Sequence, residues 1–132
     1  MLNLTPHSAT AEQRAAGVID LADISKMKIS MMLTFDTCPT RDDVNARAKQ
    51  LVANIPALQG EVDHHPQNVL IGGAPFFMGA LENALLDKGY TPFYAFSTQS
   101  SVEVLHGGVI IKTSIFMRSG FVPASFRPAV KM

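Results

Sequence analysis

With a single cysteine, Cys38, the chain has no disulfide framework. Chains without paired cysteines belong to reducing compartments, so a cytoplasmic location is expected. Charge of one sign is not in excess either. Eleven Lys and Arg balance eleven Asp and Glu, so nothing general pulls the chain onto DNA or a membrane, and neither is expected as a partner. No apolar run approaches the roughly 20 residues of a membrane span. The start, MLNLTPHSAT, lacks a basic stretch followed by a long apolar one and does not read as a signal peptide.

Several catalytic patterns are absent too. There is no G-x-G-x-x-G and no Walker lysine, which argues against a nicotinamide-type Rossmann enzyme and a P-loop NTPase. There is no G-x-S-x-G elbow and no paired-carboxylate pattern. Asp63-His64-His65 invites a metal reading, but adjacent histidines point to different sides and no spaced second cluster accompanies them, so a solvated loop is expected there. No metal site and no cofactor is expected. Cys38 has no helix start or basic neighbour to mark it as a nucleophile and reads as packing or loop.

What is present is a globular composition, 47% apolar and 17% charged over 132 residues, enough for one domain, 1–132, with a real core. Residues 1–5 suit a first strand stopped by Pro6. Thr10 and Gln13 form a capping box for a short helix ended by Gly17. Apolar residues from Asp20 to Phe35 fall at roughly helical spacing. Thr40 and Asp43 start a clear helix carrying Val44, Ala48, Leu51, Val52 and Ile55 on one face, with Pro56 as its end. Residues 57–67 read as loop. NVLI (68–71) is a short buried strand, Pro75 opens a helix closed by Gly89, and 91–97 is the next strand: a β-α-β unit. Gly107-Gly108 between 101–105 and 109–116 signals a hairpin. Residues 120–132 show no period. The expected fold class is α/β, a small Rossmann-like domain, two- or three-layered, mainly parallel with a C-terminal antiparallel β-hairpin.

In such sheets ligands collect beyond the carboxyl ends of the strands. That rule selects Thr5, His7 and Ser8 after the first strand, Gly72, Gly73 and Ala74 after the second, and Ser97, Thr98, Gln99 and Ser100 after the third. These groups offer hydroxyls, one imidazole and exposed backbone without acidic side chains, which suits an anion. Gly72-Gly73 lets a ligand approach the backbone, and the helix start behind it carries partial positive charge. The same glycines equally serve a plain strand-to-helix turn. His7 reads either as acid, base or phosphate donor, or as a surface histidine. Phe76 is the aromatic candidate to stack on a base, while its aromatic neighbours suit the core. Arg118 stands where the last strand ends and can reach a phosphate; Lys112 reads as an edge-strand charge.

The segments NLTPHSATAEQRAAGVIDL, LTFDTCPTRDDVNARA, IGGAPFFMGALENALLDKGYTPFYAFS, SVEV and IFMRSGFV together resemble a group of small, mostly uncharacterised proteins common in bacterial, prophage and phage genomes. NLTPH and IGGAPFFM are the most specific parts. That group often has Arg-Glu-Ser where this chain has Gln99-Ser100-Ser101, and a histidine where this chain has Arg118. The layout is more distantly similar to the small CARF-like domains of type III CRISPR ring nucleases, which bind cyclic oligonucleotides at their strand ends as two-fold dimers. The resemblance implies a bacterial host cell and a nucleotide-derived ligand. The expected function is a sponge: sequestration of a signal such as a cyclic dinucleotide or cyclic ADP-ribose, countering nucleotide-signalling anti-phage defence. The alternative is a metal-independent phosphodiesterase with His7 as its catalytic residue, and a third reading is a small protein-interaction domain. A homodimer is expected, two-fold dimers being the commonest soluble oligomers.

Overall fold

The computed structural model describes residues 1–59 and 67–124, with 59, 97–106 and 111–119 described by their backbone alone. In chain order the elements are β1 (Leu2–Asn3), α1 (Ala11–Ala15), α2 (Asp23–Met32), α3 (Arg41–Ala53), α4 (Ile55–Gln59), β2 (Asn68–Ile71), α5 (Pro75–Asp87), β3 (Thr91–His106) and β4 (Val109–Pro123). They form one four-stranded sheet in the order β1-β2-β3-β4. The first two pairings are parallel and the last is antiparallel. Ile19 adds a parallel bridge outside β1.

Local chemistry accounts for the helices. Thr10 and Thr40 each accept from the third backbone amide beyond them, and Gln13 and Asp43 return the bond to the cap. Pro75 opens α5, where its missing N–H costs nothing. Gly89, at φ +86°, closes it. Pro56 does not end α3 as expected. The helix stops at Asn54, and Pro56 falls in the first turn of α4, a position that tolerates it. Consequently part of the expected loop 57–67 is helical. Asp63, His64 and His65 lie outside the described residues.

The strand order determines the layers. Two successive right-handed crossovers in the same direction put their helices on one face of the sheet. The core agrees. Leu2, Leu4, Val69 and Ile71 pack with Leu51, Phe77, Leu81 and Leu85 in one cluster. On the opposite face, among the described residues, Leu70 clusters with Ala9 and Val18, with Met1 and Phe121 packed at the edge. The domain is therefore two-layered, with its second face thinly covered by the α1 segment. Among the described residues no helix is long and apolar enough to cross a membrane.

The largest departure from expectation is β3. It does not end near Ser97 but runs on to His106, paired with β4 from Phe93↔Pro123 to His106↔Val109. One register shift interrupts the ladder, between Thr98 and Gln99. The parallel part of the sheet stops much earlier, at Ile71↔Tyr94. Beyond Tyr94 the two strands continue as a ribbon.

Candidate functional site

The carboxyl ends of β1 and β2 lie side by side, and each is followed by a tight polar turn. After β1 the organiser is Asn3, a side chain 5% exposed. Its amide donates to the Asp20 Oδ1 at 2.7 Å and to the His7 carbonyl at 2.8 Å. Its carbonyl accepts from the Thr5 amide at 2.9 Å and the Thr5 hydroxyl at 2.7 Å. Both halves of one buried amide are thus satisfied, and residues 3–7 are tied into a knot. Asp20 continues it by accepting from the Ala9 amide at 3.0 Å. Burial raises the Asp20 pKa. The hydrogen bonds from Asn3 and Ala9 and the charges of Lys26 and Arg14 outweigh that and hold it below the usual carboxylate range.

These bonds decide what each expected residue contributes. Thr5 uses its hydroxyl within the turn. His7 is exposed; its carbonyl and amide serve the knot, and its imidazole makes no hydrogen bond among the described residues. The Ser8 hydroxyl accepts from Lys26 Nζ at 2.6 Å. Lys26, on α2, therefore brings a cation to this edge.

After β2, Gly72 sits against Thr5: a Cβ there would lie 3.5 Å from the Thr5 methyl. That is ordinary contact, so Gly72 is not forced to be glycine by space or by φ. Gly73 is, with φ +149°. A Cβ on it would also meet Met78 at 3.4 Å and Leu33 at 3.7 Å. Ala74 then caps α5 without any side-chain bond, and its first turn holds no acidic residue. The start of α3 is filled differently, by the Thr40–Asp43 box and by Asp42. Of these two helix starts, α5 alone is left with its partial positive charge unopposed by a local carboxylate.

Between them lies a groove of about 580 Å³, bounded by Phe35, Phe76 and the segment Asp36–Thr40. Phe76 is half-exposed, and its ring centroid is 5.3 Å from that of Phe35. Phe35 is itself wedged, with Phe77 edge-on at 5.4 Å and the Arg47 guanidinium 4.4 Å over its ring. Arg47 also donates to the Met32 and Thr34 carbonyls at 3.1 and 2.9 Å, capping the end of α2. One cation thus holds both the loop and the aromatic wall. Cys38 is exposed on that loop.

The structure brings Thr5, His7, Ser8, Gly72, Gly73, Ala74 and Phe76 to one edge. Ser97, Gln99 and Arg118 are placed differently from expectation. They are not beyond a strand end but within the ribbon, where Ser97 pairs with Ser119 and Thr98 with Arg118. Gln99 stands five residues past Tyr94, roughly 16 Å further along the strand. Among the described residues no group of three His, Cys, Asp or Glu side chains can hold a metal. Sequence reasoning missed Asn3, Asp20, Lys26, Phe35 and Arg47. The one visible signal was a polar Asn in the middle of an otherwise apolar first strand.

The architecture defines a small Rossmann-like α/β domain, with α2 to α5 on one face, the α1 segment on the other and an antiparallel pair at the C-terminal side of the sheet. Within that class, the chain belongs to the family described as Uncharacterized protein MJ1673 family, whose model matches residues 1–122. No curated protein and no solved structure matches it.

Proposed function

We propose that this domain binds a phosphate-bearing, nucleotide-derived small molecule at the edge formed by the ends of β1 and β2. The observation that carries the reading is the α5 start: no side chain caps it, its first turn holds no acidic residue, and it follows the exposed Gly73 in a left-handed conformation. Lys26 and Ser8 supply a cation and a hydroxyl at the neighbouring turn. The Phe35–Phe76 wall offers an aromatic face of the right size for a base. Asp20 does not oppose an anion strongly, because its charge is already matched by Arg14 at 3.7 Å.

Capture without turnover is the favoured form. The His7 imidazole has no hydrogen-bond partner among the described residues to orient it, as a general base needs. A cyclic dinucleotide or cyclic ADP-ribose is the proposed ligand class, and sequestration of such a signal from an anti-phage defence the proposed role. Calorimetry against a panel of cyclic nucleotides, ADP-ribose derivatives and inorganic phosphate tests it. Binding of one class, recovered intact by chromatography after heating, supports the sponge. Recovery of a cleaved product assigns a phosphodiesterase instead, and no heat with any member of the panel overturns the reading.

A further inference from the structure

The groove between the starts of α3 and α5 carries more than its aromatic wall. Asp36 and Arg41 line it beside Phe35 and Phe76. The polar side chains around them are engaged. Thr40 and Asp43 close the capping box of α3. Arg47 holds the Met32 and Thr34 carbonyls and lies over the Phe35 ring. Asp36 and Arg41 are both exposed. Among the described residues neither side chain has a hydrogen-bond partner, and the two do not form an ion pair with each other. A free carboxylate and a free guanidinium therefore border one groove.

The aromatic side of the groove shows where a flat ligand would rest. Phe35 is packed on by Phe77 and covered by the Arg47 guanidinium. Phe76 leans on Phe35 at a tilt of 56° and keeps 48% of its surface exposed. It is the ring left open for stacking. Phe76 also belongs to the first turn of α5, so a base on its ring lies beside the helix start assigned to phosphate.

The two charged groups impose a pattern on that base. An ionised carboxylate only accepts and a guanidinium only donates. A base that satisfies both must show donors to one and acceptors to the other. Guanine does so twice over. Its ring N–H and 2-amino group stand side by side and match the two carboxylate oxygens, while its O6 and N7 match two guanidinium N–H groups. Adenine has one amino donor and sets a ring-nitrogen acceptor next to it, which the carboxylate repels. Pyrimidines offer a smaller face to Phe76.

We propose that this groove selects guanine: Phe76 stacks on the base, Asp36 accepts from its ring N–H and 2-amino group, and Arg41 donates to O6 and N7. The inference rests on the nucleotide reading of the edge. It narrows that reading to guanine-bearing cyclic nucleotides and sets cyclic ADP-ribose, an adenine compound, aside. Calorimetry with two sets of probes tests it: cyclic dinucleotides and cyclic mononucleotides, each with guanine, hypoxanthine or adenine as the base. Within a set that binds, the guanine form should bind at least about 10-fold more tightly than the adenine form. Hypoxanthine lacks only the 2-amino group, and its form should bind about 10-fold more weakly than guanine's. Asp36→Ala should bring the guanine and hypoxanthine forms to one affinity. Arg41→Gln should weaken both and keep their ratio. Both variants replace exposed, unpartnered side chains, so a Tm within about 2 °C of the unaltered protein is expected. Equal or tighter binding of the adenine form, or a guanine preference that Asp36→Ala leaves in place, overturns the inference while the nucleotide site stands. Silence of both sets also overturns it, and the nucleotide reading falls with it only if cyclic ADP-ribose and inorganic phosphate are silent too.

Discussion

Replacing Asn3 with alanine removes four hydrogen bonds at once, and the structure allows the loss to be sized. Two of them, to the His7 carbonyl and from the Thr5 hydroxyl, join neutral groups near water. One is from the Thr5 amide, and one is to the Asp20 carboxylate. A neutral bond contributes about 1 kcal/mol net and one to a charged group about 1.5–3. Thr5 is only half-buried and His7 is exposed, so water recovers part of the sum. The expected cost is about 2–3 kcal/mol. For a chain of this length that corresponds to a fall in Tm of roughly 10 °C. Thermal melts followed by far-UV circular dichroism measure it, with urea unfolding to check that the m-value is unchanged. Asn3→Asp sharpens the test, because it keeps the shape but sets a second carboxylate against Asp20. It should destabilise more than Asn3→Ala at pH 7 and recover as the pH falls toward 4, where the pair retains a proton. A Tm for Asn3→Ala within about 2 °C of the unaltered protein refutes the argument, since that is less than one net hydrogen bond.

Three further outcomes follow from the same geometry. The Asp20 carboxyl has a folded-state pKa below its unfolded value, so its stabilisation is complete above about pH 4 and is lost as the pH falls through the folded value. Asp20→Asn should therefore flatten the acid limb of a stability-versus-pH curve, and an unchanged limb contradicts the assignment. Arg47→Ala should release the loop from Thr34 to Pro39 at a global cost of about 1–3 kcal/mol; faster hydrogen exchange of that loop is the readout, and unaltered protection shows that Phe35 is held by other means. Gly73→Val forces a β-branched residue to φ +149° against Met78 and Leu33, costing about 1–3 kcal/mol. Ligand binding should be lost while the far-UV helix signal remains, and a variant that still binds makes the stretch a turn and nothing more.

How legible the fold was depended on the range of the interaction involved. Residues 68–71 and 75–87 matched expectation because their signals are local: a short apolar run, Pro75 at a helix start and Gly89 after its end. Thr40 and Asp43 announced α3 for the same reason. The first strand was expected over 1–5 but is only Leu2–Asn3. Its continuation is pre-empted by the Asn3 side chain, which takes the Thr5 amide that a ladder would otherwise use. Nothing near Asn3 in sequence shows this, because its charged partner is Asp20, seventeen residues on. The polar run Ser97–Ser100 was expected to lie beyond the end of a strand and before the hairpin. Pairing across the Gly107-Gly108 turn instead carries it into one long ribbon, and cross-strand pairing leaves no periodic trace in a hydroxyl-rich segment. The approach of Lys26 to Ser8, and of Arg47 to Phe35, depends on how α2 and α3 pack.

The sheet order itself bears on where specificity resides. A crevice at the carboxyl edge of an open sheet normally opens where the strand order reverses. Here β1, β2 and β3 follow one another without reversal, so the edge owes its shape to two loops, the Asn3-centred turn and the Arg47-held segment before α3. The expected ligand contacts consequently split between two bodies. Thr5, His7, Ser8, Gly72, Gly73, Ala74 and Phe76 belong to the compact edge, whereas Ser97, Gln99 and Arg118 belong to the ribbon. The two groups separate in one experiment. If the compact edge alone binds, Gln99→Ala and Arg118→Ala leave the affinity as it was, while Gly73→Val abolishes binding. If Gln99→Ala and Arg118→Ala weaken binding as Gly73→Val does, the ribbon belongs to the site as well.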